Sequence, residues 1–290
     1  HNVYRPTMTP QHTTTRFRPV HVLLSALFFL GLTQGCVNLK AIQDFANISA
    51  ESAEYTDLVD NYVDFPHRQK RYQPENRHAQ LEAMAQERQA QKTALLLRQD
   101  VIEQYMEALG KLAADEIVDQ SEELSQLTNN LQNQAGTSPA ETEAFGKIAE
   151  VLTNAIGDKW RKRQIQELIE RSNGPLQTIL KSLQQIVTDG FGGDDQNEQF
   201  AIQSYYRTKI AQSNDPAGIA ALMEWQESRE ENLAAHTQAI QAYSALLEKI
   251  SEGHQKLYDE RNDLAKAELL QQIKKTVKEL KDLLDTIKKI

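Results

Sequence analysis

Residues 219–264 read IAALMEWQESREENLAAHTQAIQAYSALLEKISEGHQKLYDERNDL. Mostly apolar side chains recur here at alternating intervals of three and four residues, which places them on one face of an α-helix. This face comprises Ile219, Leu222, Gln226, Arg229, Leu233, His236, Ile240, Tyr243, Leu247, Ile250, His254, Leu257, Arg261 and Leu264. Asp215 suits the N-cap and Pro216 the first helical position. The segment therefore predicts one long helix over 216–265 that packs as in a coiled coil.

The rest of the chain has the same helical character. Of 290 residues, 12 are Gly and 8 are Pro, while the helix-favouring residues Ala, Leu, Gln, Glu and Lys are abundant. We find no segment in which β-branched and polar residues alternate, the pattern typical of strands. The sequence predicts an all-α fold, an elongated antiparallel helical bundle with coiled-coil-like long helices.

Two other long helices are predicted upstream. Residues 75–134 contain no Pro, and their heptad spacing predicts one helix of up to about 60 residues. The sequence AGTSP at 135–139 predicts a turn in which Ser138 and Glu141 form a capping box. The helix that follows is expected over 139–189, where Gly174-Pro175 either kinks it or divides it in two.

The same pattern predicts the domain organisation. Residues 36–74 are expected to be a lipidated tether whose short helix breaks at Phe65-Pro66 and packs back on the bundle domain, 75–265. After this domain the apolar phase slips. Residues 266–290 are therefore a basic C-terminal helix that either extends the long helix or folds back.

A flexible loop is predicted inside the bundle domain. Gly190–Asp195 reads GFGGDD and contains three glycines. Asp195 and Glu198 are expected to cap the helix that follows.

The N-terminal region has the organisation of an export signal. Arg16 and Arg18 supply positive charge, and Val22–Leu32 is a mostly apolar run of eleven residues. A transmembrane helix needs roughly 20 apolar residues, so this run is typical of a cleaved signal peptide. Met8 is the first plausible start, and residues 1–7 are expected to lie upstream of it.

The predicted signal ends in Leu32-Thr33-Gln34-Gly35-Cys36, which contains the only cysteine of the chain. This pentapeptide resembles the lipobox of bacterial lipoproteins, in which a small residue precedes a cysteine that becomes the acylated mature N-terminus. Thr33 departs from the family pattern, which usually has an aliphatic residue there. An ordinary secretory signal followed by an unrelated cysteine is the alternative.

The resemblance implies cleavage between Gly35 and Cys36, removal of residues 1–35 and fatty acylation of Cys36. Two or three acyl chains hold a protein stably on a bilayer, whereas one chain is marginal. In enterobacterial lipoproteins an aspartate at the position of Val37 favours the inner membrane. Valine there implies the periplasmic face of the outer membrane, or the cell membrane in a source that lacks an outer one.

Four polar residues on the stripe of the long helix are the candidate functional side chains: Arg229, His236, His254 and Arg261. Polar residues at such positions commonly fix helix register and partner choice. Alternatively, a histidine on this seam that takes up a proton near pH 6 would loosen the bundle.

The sequence lacks the motifs that usually mark catalytic or metal-binding sites. Gly192–Glu198 offers oxygen ligands for calcium but lacks the EF-hand pattern, so a helix cap in a solvated loop is the simpler interpretation. No phosphate loop, nucleophile elbow or paired-histidine zinc motif occurs. The sequence therefore predicts a non-catalytic protein with no metal site and no cofactor, and no small-molecule substrate is evident.

The charge of the chain argues against nucleic acid as a partner, because its formal net charge is −9 and binding phosphates requires a basic surface. Charged residues cluster in an acidic patch at 115–123, in basic patches at 68–77 and 159–163, and in the tail. Residues 266–290 hold seven lysines and four acids. We interpret these charged runs as solvated helix faces. For the tail, the alternative is a surface that binds an acidic partner or anionic lipid headgroups.

These features predict a membrane-anchored cell-envelope lipoprotein that acts as a structural or protein-interaction component, with an unidentified envelope or exported protein as partner. The alternative is an immunity- or inhibitor-type lipoprotein that binds an exported toxin. A helical enzyme or metal carrier is a third hypothesis, which a cluster of histidines and carboxylates in the fold would favour.

Overall fold

The computed structural model describes residues 39–53, 55–116, 136–155 and 161–288. Every regular element in these ranges is helical and none is a strand, which confirms the all-α class. The α-helices are α1 (Lys40–Ala53), α2 (Thr56–Gln69), α3 (His78–Ala113), α4 (Pro139–Ala155), α5 (Arg161–Gln185), α6 (Gly192–Gln212), α7 (Pro216–Asp259) and α8 (Ala267–Lys288). Short 3-10 turns at Glu75–Arg77 and Arg261–Asp263 precede α3 and α8, and a π-helical turn at Ile186–Phe191 joins α5 to α6. The helices form a bundle, and its coiled-coil character stays a prediction.

Helix α1 is part of the hydrophobic core. It packs against α3 and α8, and the side chains of Ile42, Phe45 and Ala46 are completely buried. The ring of Phe45 lies against Gly253 of α7, where a Cβ atom would come within 2.7 Å of the Phe45 Cζ. From residue 39 on, the segment expected as a tether therefore contributes a helix to the core.

Helix α2 continues through Pro66 to Gln69, so the predicted break at Phe65-Pro66 is wrong. Proline has no N–H to donate to the carbonyl four residues earlier, which usually destabilises a helix. Here that carbonyl belongs to Tyr62, and it accepts a hydrogen bond of 2.8 Å from Nη1 of Arg88. A tertiary contact thus satisfies the acceptor that Pro66 leaves unpaired.

Helix α3 ends at Ala113, and the prediction of an unbroken helix over 75–134 is wrong. Asp115 has a φ of 66°, and the N–H of Glu116 donates to the carbonyl of Lys111 at 2.8 Å. This is the left-handed helix end that glycine most often forms and that Asp also tolerates. Residues 117–135 lie outside the described ranges.

The capping box at the start of α4 is confirmed. The backbone N–H of Ser138 donates to Oε2 of Glu141 at 2.8 Å, and the N–H of Glu141 donates to the Ser138 hydroxyl at 3.3 Å. Gly136 has the left-handed φ of 99° that glycine adopts without strain.

The single helix expected over 139–189 is wrong, because α4 and α5 are antiparallel neighbours. Arg171 pairs with Glu150, and Ser182 donates to Glu141. The two helices therefore run in opposite directions, and residues 156–160 between them lie outside the described ranges. At Gly174-Pro175, where a kink and a break were both open, α5 is continuous.

The flexible loop expected at Gly190–Asp195 is wrong as well. The π-helical turn passes directly into α6, and Phe191 packs on Tyr62 with 4.7 Å between the ring centroids. Asp195 and Glu198 do not cap the helix but take part in buried ion pairs.

Helix α7 begins as predicted, since the Asp215 carboxylate accepts from the N–H groups of Ala217 and Gly218 at 3.1 and 3.0 Å. It ends at Asp259. Helix α8 then folds back on α7 and α1. Of the two arrangements open for the tail, it therefore takes the folded-back one and does not extend the long helix. Its whole apolar stripe is buried: Leu269, Ile273, Val277, Leu280, Leu284 and Ile287.

Candidate functional site

The first turns of α6 hold a cluster of buried acids, Asp194, Asp195 and Glu198, which we call the acidic turn. Each of the three residues is less than one-tenth exposed. Their basic partners are Arg88 of α3, His236 of α7 and Arg68 of α2, in that order. The acidic turn therefore joins α6 to three other helices.

Arg88 binds Asp194 through both terminal nitrogens of its guanidinium. The same group lies 4.1 Å from the centroid of the Tyr62 ring and 4.9 Å from that of Phe65. Burial raises the pKa of Asp194, although the hydrogen bonds and the charge of Arg88 oppose that rise. The pair does not fully compensate for the loss of water around the carboxylate.

Arg68 binds Glu198 through Nε and Nη2, with an Nη2–Oε2 distance of 3.0 Å. Its Nη1 donates to the carbonyl of Asn61 at 2.8 Å. All the nitrogens of this guanidinium are thereby engaged, and its charge is compensated by Glu198.

His236 binds Asp195 through Nδ1, at 2.9 Å from Oδ1, and the Thr237 hydroxyl donates to the same carboxylate at 2.7 Å. Because an ionised carboxylate only accepts hydrogen bonds, Nδ1 carries a proton. The other ring nitrogen, Nε2, is buried without a hydrogen-bond partner among the described residues.

The four candidate residues of the polar seam do not form one site. Arg229 and His236 line the same cavity, whereas His254 is completely buried in the core. Arg261 lies in the 3-10 turn after α7, with its guanidinium 4.3 Å from the centroid of the Tyr258 ring.

His254 is a neutral core residue. Nε2 lies 2.6 Å from the Tyr105 hydroxyl and Nδ1 lies 2.9 Å from Oδ1 of Asn173. Burial lowers the pKa of His254 to about 3. This histidine therefore does not take up a proton near pH 6, and the pH-sensitive interpretation of the seam is wrong for it.

The calcium alternative at Gly192–Glu198 finds no support, because all three acids there already bind basic side chains. In the described ranges, no group of three or more His, Cys, Asp or Glu residues is placed to hold a metal ion.

The acidic turn was not identified from the sequence, because the partners of its three acids are 41 to 130 residues away along the chain.

The apolar side of the tail helix packs against α1 and α7, so it is not open to a partner, and the docking of the tail's basic surface on an acidic partner or on lipid headgroups stays a prediction. Large exposed apolar side chains occur instead on the α6–α7 hairpin, formed by α6, Ser213–Asp215 and the first half of α7. Phe200 is 73% exposed, Met223 57% and Trp225 58%. Met223 and Trp225 lie beside the stripe of α7 and not on it, so helical spacing did not identify them.

Several predicted residues lie outside the described ranges. These are the lipidation and cleavage residues Cys36 and Gly35, most of the acidic patch at 115–123, and Lys159 with Trp160 of the basic patch. The lipobox prediction stays a prediction. In the part of the chain that the structure describes, no helix is long and apolar enough to cross a membrane.

No protein-family model, curated protein or solved structure matches the chain.

Proposed function

We propose that this chain is a non-catalytic lipoprotein of the cell envelope, anchored at Cys36 and acting as a structural or protein-interaction component. The observation that carries the proposal is the export signal of residues 16–36 with its lipobox-like end. Val37 favours the periplasmic face of the outer membrane. Three of the buried polar clusters, at Arg88–Asp194, Arg98–Glu141 and Tyr105–His254, are held by ion pairs and hydrogen bonds within the bundle, an arrangement that suits a scaffold.

The interaction part of the proposal is supported by the α6–α7 hairpin. Phe200, Met223 and Trp225 are large apolar side chains that the bundle leaves in water. Aromatic residues and methionine are enriched at protein interfaces. The hairpin is therefore the surface on which we place the partner.

Intact-mass measurement of the mature protein, made in a host that acylates lipoproteins, tests the anchor. We expect a polypeptide that begins at Cys36, carries added acyl chains and sediments with membranes. The variant Cys36→Ser is expected to lack the added mass and to leave the membrane fraction. A wild-type protein with an unmodified thiol would refute the anchor.

Photocrosslinking in the native envelope tests the interaction surface. A photoreactive residue at Trp225 or Phe200 is expected to capture an envelope protein, whereas one at Gln271, exposed on α8, is not. Equal capture from both faces, or none from the hairpin, would refute the assignment. Capture of an exported toxin would favour the inhibitor alternative.

A further inference from the structure

A small cavity of about 180 Å³ lies where the end of α2, α6 and α7 meet. We call it the arginine cavity. Its charged and hydrogen-bonding lining includes Arg68, Arg71, Tyr72, Glu198, Arg229 and His236. The volume accommodates several water molecules or one small anion with part of its hydration.

The net charge of this lining is positive. Glu198 is compensated by Arg68, so these two residues leave no net charge. Arg71 and Arg229 also line the cavity, and neither forms an ion pair within the described ranges. Both residues are exposed, so two solvated guanidinium groups remain at the cavity without a carboxylate partner in the described part of the chain.

Tyr72 lines the same cavity as Arg71 and Arg229. Burial raises the pKa of the Tyr72 hydroxyl, and the positive charges of Arg229 and Arg71 oppose that rise. These positive charges act against the loss of water around the phenol, whereas the charge of Glu198 adds to the rise. The two arginines come from different elements, one from α7 and one from the segment after α2.

His236 brings a buried ring nitrogen without a hydrogen-bond partner to the same cavity. Its Nδ1 is held by Asp195 of the acidic turn, which fixes the ring, and its Nε2 has no partner in the described part of the chain. The ring also lines the arginine cavity. A buried nitrogen without a partner costs free energy, and a bound ligand that forms a hydrogen bond with Nε2 would recover it.

We propose that the arginine cavity is a binding site for a small oxyanion, a phosphate or carboxylate group, held by Arg71 and Arg229 beside His236. Guanidinium groups bind both anions through paired N–H donors. The internally satisfied pairs Arg68–Glu198 and His236–Asp195 position the lining and do not compete for the ligand.

Calorimetric titration of the purified chain with inorganic phosphate, at constant ionic strength, tests the site. We expect saturable binding at millimolar concentration and affinity losses of about five-fold for Arg71→Gln and for Arg229→Gln, since each removes a charged hydrogen-bond donor that water partly screens. The matched control is Arg163→Gln, an exposed arginine on α5, which should bind phosphate as the wild type does. Parallel titration with acetate distinguishes a carboxylate ligand from a phosphate.

His236→Asn sharpens the test, because an asparagine amide can still donate to Asp195 from the position of Nδ1 while nothing occupies the position of Nε2. We expect weaker anion binding with an unchanged thermal midpoint in the absence of anion. Failure of both anions to bind, or equal binding by wild type and the double variant of Arg71 and Arg229, would overturn the proposal. The anchor at Cys36 is measured separately by mass, so either proposal can fail alone.

Discussion

The two halves of α7 carry the same helical spacing but lie in different surroundings. In the second half, Tyr243, Leu247 and Ile250 are at most 1% exposed, because α1, α5 and α8 all pack on α7. In the first half, Ile219, Leu222 and Leu233 are only partly buried, since α6 is their main neighbour. Spacing predicts which face of a helix is apolar, and the number of neighbouring helices decides whether that face is buried.

The polar groups of the two regions differ in the same way. In the core, His254 forms a hydrogen bond with Tyr105, and Tyr243 forms one with Gln99, so both have neutral partners. The buried ion pair of the core, Arg98–Glu141, is surrounded by further hydrogen bonds. The base of the hairpin uses ion pairs that water partly reaches, such as Arg68–Glu198. The charges of Arg68 and Glu198 therefore lose less water on folding than those of Arg98 and Glu141 do.

Removal of one partner from an ion pair should have the largest effect, and a much larger one in the core than at the hairpin. Arg98→Met leaves Glu141, whose side chain is 6% exposed, buried without its counter-charge. We expect a loss of about 3–5 kcal/mol in the free energy of unfolding. Arg68→Met should cost less, about 1–2 kcal/mol, because Arg68 is 27% exposed and water can reach the vacated side of Glu198, whose own side chain is 9% exposed. Urea unfolding measures both, and equal losses would remove the distinction between the regions.

Acid should destabilise the core through Glu141. Burial would raise the pKa of this carboxyl, but hydrogen bonds from Arg98, Ser182 and Ser138 and the charge of Arg98 hold it at about 2, below the ordinary 4.5. The stabilisation is therefore complete above pH 4.5 and is lost as the pH falls from 4.5 to 2. It amounts to about 3 kcal/mol.

Urea unfolding across this pH range checks the prediction against Glu141→Gln, which has no proton to gain. The variant should be less stable at neutral pH and should lose less stability on acidification. Parallel pH profiles for wild type and variant would contradict the assigned role of Glu141.

Gly253→Ala should destabilise the protein by about 2–3 kcal/mol, because the added methyl group overlaps the Phe45 ring in a packed core. The control is Gly146→Ala in α4, where a Cβ meets no atom within 4 Å. That change should stabilise the helix by about 0.5–1 kcal/mol. Thermal unfolding distinguishes the two signs, and a tolerated Gly253→Ala would argue against the close approach of α1 and α7.

Tyr105→Phe should lower the free energy of unfolding by about 1–2 kcal/mol, because it leaves Nε2 of His254 buried without a hydrogen-bond donor. Tyr205→Phe on the hairpin is the comparison, since the half-buried Tyr205 makes ring contacts with Tyr72 and Tyr206 but its hydroxyl makes no hydrogen bond within the described ranges. We expect that change to stay within about 0.5 kcal/mol. Similar costs in chemical denaturation would count against the His254 network.

Local sequence signals predicted the features that local chemistry controls. The N-cap at Asp215 and the capping box of Ser138 and Glu141 depend on residues at most three positions apart, and both are confirmed. The end of α3 was missed because Asp115 takes a conformation for which glycine is the usual signal. The reversal between α4 and α5 was missed because the apolar phase continued through it.

The acidic turn could not be predicted because its stabilising partners come from other helices. Gly190–Asp195 has the composition of a loop, yet Asp194 and Asp195 within it and Glu198 after it are held in a helix. Their partners are Arg88, His236 and Arg68, in that order. His236 was identified from its position on the stripe, but its partner Asp195 was assigned to a loop. Spacing within one helix contains no information about the residue that faces it across a helix pair.

Hydrogen exchange followed by mass spectrometry tests the contrast between the two halves of α7 most directly, since amide protection reports local opening. The account predicts slow exchange over residues 239–257, close to the rate set by global unfolding, and faster exchange over 219–235. Equal protection of the two segments would contradict it.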